Sequence, residues 1–252
     1  MVPHPAESNE GSVGGTTPAG LPLGPEIPKI TPMRPRTVLV VGAHPDDEVL
    51  GPGGTLARHV GEGDDVHALI LCEGVSLRYP DAKEDFVALE GRAAARVLGL
   101  ASWTLHGFPD QRLDRLSLVE IAAPIERKVR ELKPVIVYTH WRGDINRDHA
   151  LVHEATLVAA RCKERSIEKL YAYETPSETE WGIPYDFSPN TFVDVSRFLD
   201  TKLDAMRCYR SQSPPANHPR SLEHLRNRAL YWGECMLMEA AEPFVLLREY
   251  WR

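Results

Sequence analysis

A chain of 252 residues, 42% hydrophobic and 26% charged, with a formal net charge of −7, fits one α/β domain with a substantial core. The acidic balance gives no general electrostatic reason to bind nucleic acid or an anionic membrane, and no apolar run approaches the roughly 20 residues that span a bilayer. The first residues lack the basic and apolar regions of a signal peptide, and the four cysteines, Cys72, Cys162, Cys208 and Cys235, are too widely spaced for a disulfide framework or a thiolate zinc site, so buried free thiols in a cytoplasmic protein are expected.

In chain order, residues 1–35 are rich in Pro, Gly, Ser and Thr and bury too little to offset their ordering entropy, so a disordered tail is expected ahead of a single domain over 36–252. TVLVVGA (37–43) is the continuous apolar run of a strand buried on both faces. Residues 49–61 read as a helix closed by Gly61 and Gly63. DVHALILC (65–72) is a second strand, 85–100 an amphipathic helix, and SWTLHGF (102–108) a third strand. A helix over 116–132 precedes PVIVYTH (134–140), the fourth strand, and 148–164 is helical again. KLYAYET (169–175) and NTFVDVS (190–196) are a fifth and sixth strand, with closing helices near 197–210 and 220–240. This alternation predicts an α/β fold: a Rossmann-like, mostly parallel sheet with helices on both faces, a three-layer sandwich.

Two clusters stand where strands should end. AHPDDE (43–48) places His44, Asp46, Asp47 and Glu48 directly behind the first strand, on the rim where open parallel sheets bind ligands. One acid there would cap a helix; three beside a histidine exceed what capping requires. Imidazole and carboxylate are natural ligands of zinc or a similar divalent metal. THWRGDINRDHALVHEAT (139–156) follows the fourth strand to the same rim. It offers His140, Asp144, Asn146, Asp148, His149 and His153, and His149 and His153 can share a helix face. The glycines after the first cluster do not spell a dinucleotide fingerprint.

AHPDDEVLGPGGTLA, the later INRDHALV, GFPDQRL (107–113), YRSQ (209–212) and AEPF (241–244) together resemble the PIG-L/LmbE-like superfamily of metal-dependent N-deacetylases, over residues 37–250. The resemblance implies that His44, Asp47 and His149 hold Zn2+, or Fe2+ or another divalent metal, and that Asp46 is the general base. It implies a small-molecule substrate, an N-acylated amino sugar or glycoside; the acidic balance and the lack of a long apolar run leave neither nucleic acid nor membrane as an expected partner. Oligomers are common among members, so a homo-oligomer is an option. A larger N-acyl group or a thiol conjugate is the alternative substrate, and a non-catalytic metal-binding member the third reading. Asp148 is expected to orient His149 from behind, Asp110 and Arg92 to reach the sugar pocket, and Trp141 to line it. The sequence departs from the pattern at Asn146, where many members carry histidine. Asn146 can donate a hydrogen bond to an oxyanion but cannot supply a proton near pH 7, which leaves His140, His218 or Asp46 itself to protonate the leaving amine.

Overall fold

The first strand, β1 (Thr37–Gly42), is buried along both faces: Val38 and Val40 enter one apolar cluster, Leu39 and Val41 another. The computed structural model describes residues 35–74, 86–161, 163–212 and 214–251. Of the expected tail, only Pro35 lies within the described residues.

The helix expected over 49–61 is two: α1 (Asp47–Leu50) and α2 (Gly53–Gly61). Gly51-Pro52 separates them, because proline lacks the N–H that would continue the ladder. Gly51 is required by close approach, since a Cβ there would lie 2.3 Å from the Tyr173 ring. β2 (Asp65–Cys72), α3 (Phe86–Leu98), β3 (Ser102–Phe108) and α4 (Leu118–Leu132) follow. A reciprocal Ser117–Glu120 capping box starts α4. β4 (Ile136–His140), α5 (Arg147–Ala159), β5 (Lys169–Tyr173) and β6 (Thr191–Asp194) come next, then α6 (Leu199–Met206) and α7 (Leu222–Cys235).

The chain closes with β7 (Ala241–Glu249), a strand that the sequence pattern does not predict. It inserts antiparallel between β5 and β6, giving the sheet order β3-β2-β1-β4-β5-β7-β6. β1 to β5 pair in parallel. Helices α1, α2, α3, α6 and α7 pack against one face through the first cluster, and α4 and α5 against the other through the second. The expected three-layer, mostly parallel α/β architecture is therefore present. Strand order reverses between β1 and β4, and that switch point is where an open sheet leaves a crevice beyond its carboxyl ends.

Candidate metal and catalytic site

Both histidine–acid clusters emerge at this switch point. After β1 the chain turns through Ala43-His44-Pro45-Asp46 into α1. The Asp47 carboxylate folds back under the turn, Oδ2 accepting from the Ala43 and His44 N–H groups at 3.1 and 2.7 Å. Asp46 sits at φ +111°, a left-handed conformation rare for a residue with a side chain. Its carbonyl accepts from Val49 and Leu50 N–H, and its own N–H donates to Glu48 Oε2. Backbone strain of this kind persists where surrounding structure over-determines it, as at functional sites.

β4 delivers His140, and α5 delivers His149 from its first turn. His44 Nδ1 lies 3.2 Å from His149 Nε2, and Asp47 Oδ2 lies 3.7 Å from the former and 3.5 Å from the latter. Ligands at tetrahedral-zinc distances lie about 3.3–3.6 Å from one another, so this triangle matches the expected ligand set in donor type and spacing. A metal held there would take two imidazoles and one carboxylate, a set suited to zinc or iron(II).

Asp46 is 2% exposed and its Oδ2 has no hydrogen-bond partner. Burial, partly offset by the Arg220 charge, pushes its carboxyl up to about 7. Glu48, fully buried, accepts from Trp103 Nε1 and Tyr209 Oη at 3.1 and 2.5 Å. It ties α1 to β3 and to the segment after α6, and does not line the cleft.

The carboxylate behind His149 is Asp144, whose Oδ2 lies 3.1 Å from Nδ1, at an angle that forms no hydrogen bond. Thr179 Oγ1 donates to the same oxygen. Asp148 faces His44 instead: Oδ2 is 3.2 Å from His44 Nε2 and accepts from Cys72 Sγ, while Oδ1 accepts from Leu113 N–H. Residues in sequence on a helix project about 100° apart, so Asp148 cannot back the ring of its neighbour. Asp110 also turns to His44, with Oδ1 3.2 Å from Nε2, while lining the cleft.

His140 is fully buried. Its Nε2 accepts from Ala43 N–H at 3.0 Å, its ring stacks on His149 with centroids 3.9 Å apart, and burial drives its pKa down to about 4. It does not reach the cleft. His153 donates from Nδ1 to the His140 carbonyl, outside the ligand triangle. Trp141 also departs from expectation: its ring packs on Phe187 with Nε1 donating to Asp186, and it does not line the cleft. Arg92 is exposed on α3, 6.0 Å from the Trp103 ring centroid, and does not line the cleft. Asn146 caps α5, its Oδ1 accepting from Asp148 N–H, and lines the cleft. Of the cysteines, Cys72 is buried as expected, Cys208 is half-buried and Cys235 is exposed; Cys162 lies outside the described residues.

Pro45 and Gly74 complete the lining with four polar residues that the sequence reading does not assign to the site: Gln111, Glu178, Gln212 and Arg220. Arg220 stands on the loop before α7, its Nη1 3.5 Å from Asp46 Oδ2. No local pattern marks it, because its partner is far away in the chain. No described helix is long and apolar enough to cross a membrane.

Comparison with known proteins places the geometry in context. The family model PIG-L, GlcNAc-PI de-N-acetylase, matches residues 39–160. The uncharacterized deacetylase YaiS of Escherichia coli (strain K12) is 32% identical over 183 residues, 69% of this chain and 90% of that protein. The diacetylchitobiose deacetylase of Thermococcus kodakarensis is 29% identical over 212 residues, 79% of this chain and 78% of the relative. The crystal structure of the conserved protein TT1542 from Thermus thermophilus superposes with a TM-score of 0.71 at 28% identity, covering 86% of this chain and 97% of that one.

Proposed function

Because the chain belongs to the PIG-L family of de-N-acetylases, we propose that this deacetylase is a zinc-dependent hydrolase that removes the N-acetyl group from an N-acetylated amino sugar or glycoside. The observation that carries the reading is the triangle of His44 Nδ1, Asp47 Oδ2 and His149 Nε2 beside the unpartnered Asp46 carboxylate. The chitobiose specificity named for the Thermococcus relative supports an amino-sugar substrate. The catalytic machinery is assigned to one domain over residues 36–252.

His44, Asp47 and His149 would hold the metal, which when bound acts as a Lewis acid on the amide carbonyl and favours ionisation of water. Asp46, which lines the cleft, takes the proton from the attacking water on its carboxylate. A base is most effective with a pKa near the working pH, and burial brings Asp46 to about 7. The Asn146 amide, on the cleft wall, donates to the tetrahedral oxyanion in this reading. With His140 sealed in the core and neutral, Asp46 returns its proton to the leaving amine. Asp144 and the stacked His140 ring fix the orientation of His149.

The test is acetate release from N,N'-diacetylchitobiose, N-acetylglucosamine and a panel of N-acetyl glycosides, using protein stripped by chelator and then reloaded with zinc. Release that disappears on stripping and returns on reloading is the expected result. Release that is indifferent to chelation overturns the metal assignment, and turnover restricted to longer N-acyl chains overturns the acetyl specificity.

A further inference from the structure

Arg220 is the only lysine or arginine among the described residues that line the cleft. It is 13% exposed at the side chain, and three contacts lock its guanidinium. Nε donates to the Pro176 carbonyl at 3.1 Å and to Ser177 Oγ at 2.6 Å, and Nη2 donates to Glu178 Oε1 at 2.7 Å. Only Nη1 is left over, and it lies 3.5 Å from Asp46 Oδ2, too poorly placed for a hydrogen bond. Nη1 thus faces the buried, partnerless Oδ2 of Asp46 without a hydrogen bond between them, and both residues line the cleft. Such an arrangement makes poor sense as a structural ion pair, which would close to full hydrogen-bond contact. It makes sense if the acceptor for Nη1 arrives with the substrate.

We propose that Arg220 is a catalytic residue of the deacetylation, its Nη1–H donating to the oxyanion that forms when water adds to the amide carbonyl. The inference rests on the deacetylase reading of the same site. In the addition step a new C–O bond forms from water, the water proton passes to Asp46, and the carbonyl π pair moves onto oxygen. Arg220 and the Asn146 amide donate hydrogen bonds to that oxygen without transferring a proton. In the collapse the pair returns to the carbonyl, the C–N bond breaks, and Asp46 protonates the departing nitrogen. Arginine suits the task because its guanidinium stays charged throughout the working pH range. A donor preorganised by Ser177, Pro176 and Glu178 requires no reorganisation as charge develops.

The experiment compares wild-type, Arg220→Ala and Arg220→Lys enzymes, zinc-loaded, on N,N'-diacetylchitobiose across pH 5.5–9.5, with zinc content and urea unfolding measured for each. Loss of an oxyanion donor is expected to lower kcat about a hundred- to a thousand-fold. KM should change little, the loss should persist at every pH, and added guanidinium ion should restore part of the rate to Arg220→Ala. Lysine should restore little, since it cannot reproduce the anchored fork. Three results overturn the proposal: an unchanged kcat, a loss confined to KM, or a loss that vanishes at high pH, which would mean that Arg220 merely keeps Asp46 ionised. Should Arg220→Ala fold poorly, Glu178→Gln, which frees one anchor while keeping the arginine, is expected to lower kcat about tenfold with zinc content intact; an unaltered kcat there counts against the proposal. An inert wild-type enzyme overturns the deacetylase reading and this one with it, whereas an active wild type with an equally active Arg220→Ala overturns this one alone.

Discussion

Asp46 and Asp47 are adjacent in sequence and opposite in circumstance. Asp47 is tied down by two backbone N–H groups and faces three imidazoles, so despite burial its carboxyl is held well below the usual range by His149, His140 and His44. At Asp46 burial outweighs the Arg220 charge and pushes the carboxyl up to about 7. The environment therefore moves two adjacent carboxyls in opposite directions, as the proposed division between ligand and base requires. Asp46→Asn keeps the shape of the turn and removes the acceptor. It is expected to lower kcat by about 10²–10⁴-fold while zinc content, measured by atomic absorption, stays at the wild-type level. Co-loss of metal would show that Asp46 is a ligand. Asp144 is testable in the opposite sense. Asp144→Asn weakens the restraint on His149, so zinc affinity from chelator competition should fall about 10–100-fold; unaltered affinity would remove Asp144 from the site. The sequence pointed to Asp148 for this task because it is the neighbour of His149, and helix geometry turned it to His44.

The elements show a similar division between what local pattern carries and what it does not. β1 is legible as a continuous apolar run and β2 and β4 as apolar-rich segments, and the two clusters follow β1 and β4 onto one rim. The candidate ligands His44, Asp47 and His149 are legible for that reason: they sit in the segments that follow β1 and β4. β7 was not legible, because Pro243 sits within its first half and proline argues against an interior strand. Its pairing to β5 and β6 is decided by contacts that no local window contains. Those contacts reach the site from below. Glu242 of β7 accepts from Lys202 Nζ at 2.6 Å and from the Gly54 and Thr55 N–H groups at 2.9 and 2.7 Å, capping α2. Lys202 also donates to the Leu50 and Gly51 carbonyls at the end of α1. Removing one member of a buried pair strands the other charge. Glu242→Ala is therefore expected to cost about 3 kcal/mol, the low end for such a loss because Lys202 keeps its two carbonyls. Urea unfolding reads this as a lowered midpoint, and a change below experimental error would mean that the pair is structurally idle.

At the scale of the molecule, the fold concentrates charge at one point of its sheet. Asp46, Asp47, Asp110, Asp144 and Asp148 are all at least nine-tenths buried around His44 and His149. Without a metal, the deficit of positive charge falls on the histidines. Burial alone would lower the pKa of His44, but its contacts with Asp110 and Asp148 outweigh that and hold it well above the usual value. A cation entering the triangle must displace that proton from His44, so binding and protonation compete. Because the pKa is raised, the competition extends through neutral pH: zinc affinity should strengthen as pH rises and weaken as it falls. A metal that binds the folded state alone stabilises it by about 2.7 kcal/mol at a hundredfold excess over Kd. For a domain of this size that corresponds to a melting temperature roughly 5–10 °C higher than that of the stripped protein. Calorimetry of stripped and reloaded protein at pH 6 and pH 8 tests both statements, with the larger stabilisation at pH 8 for the same total zinc. A metal-induced shift that is equal at the two pH values would mean that His44 is already unprotonated before the metal arrives, and that the carboxylates around it are neutralised by some other route.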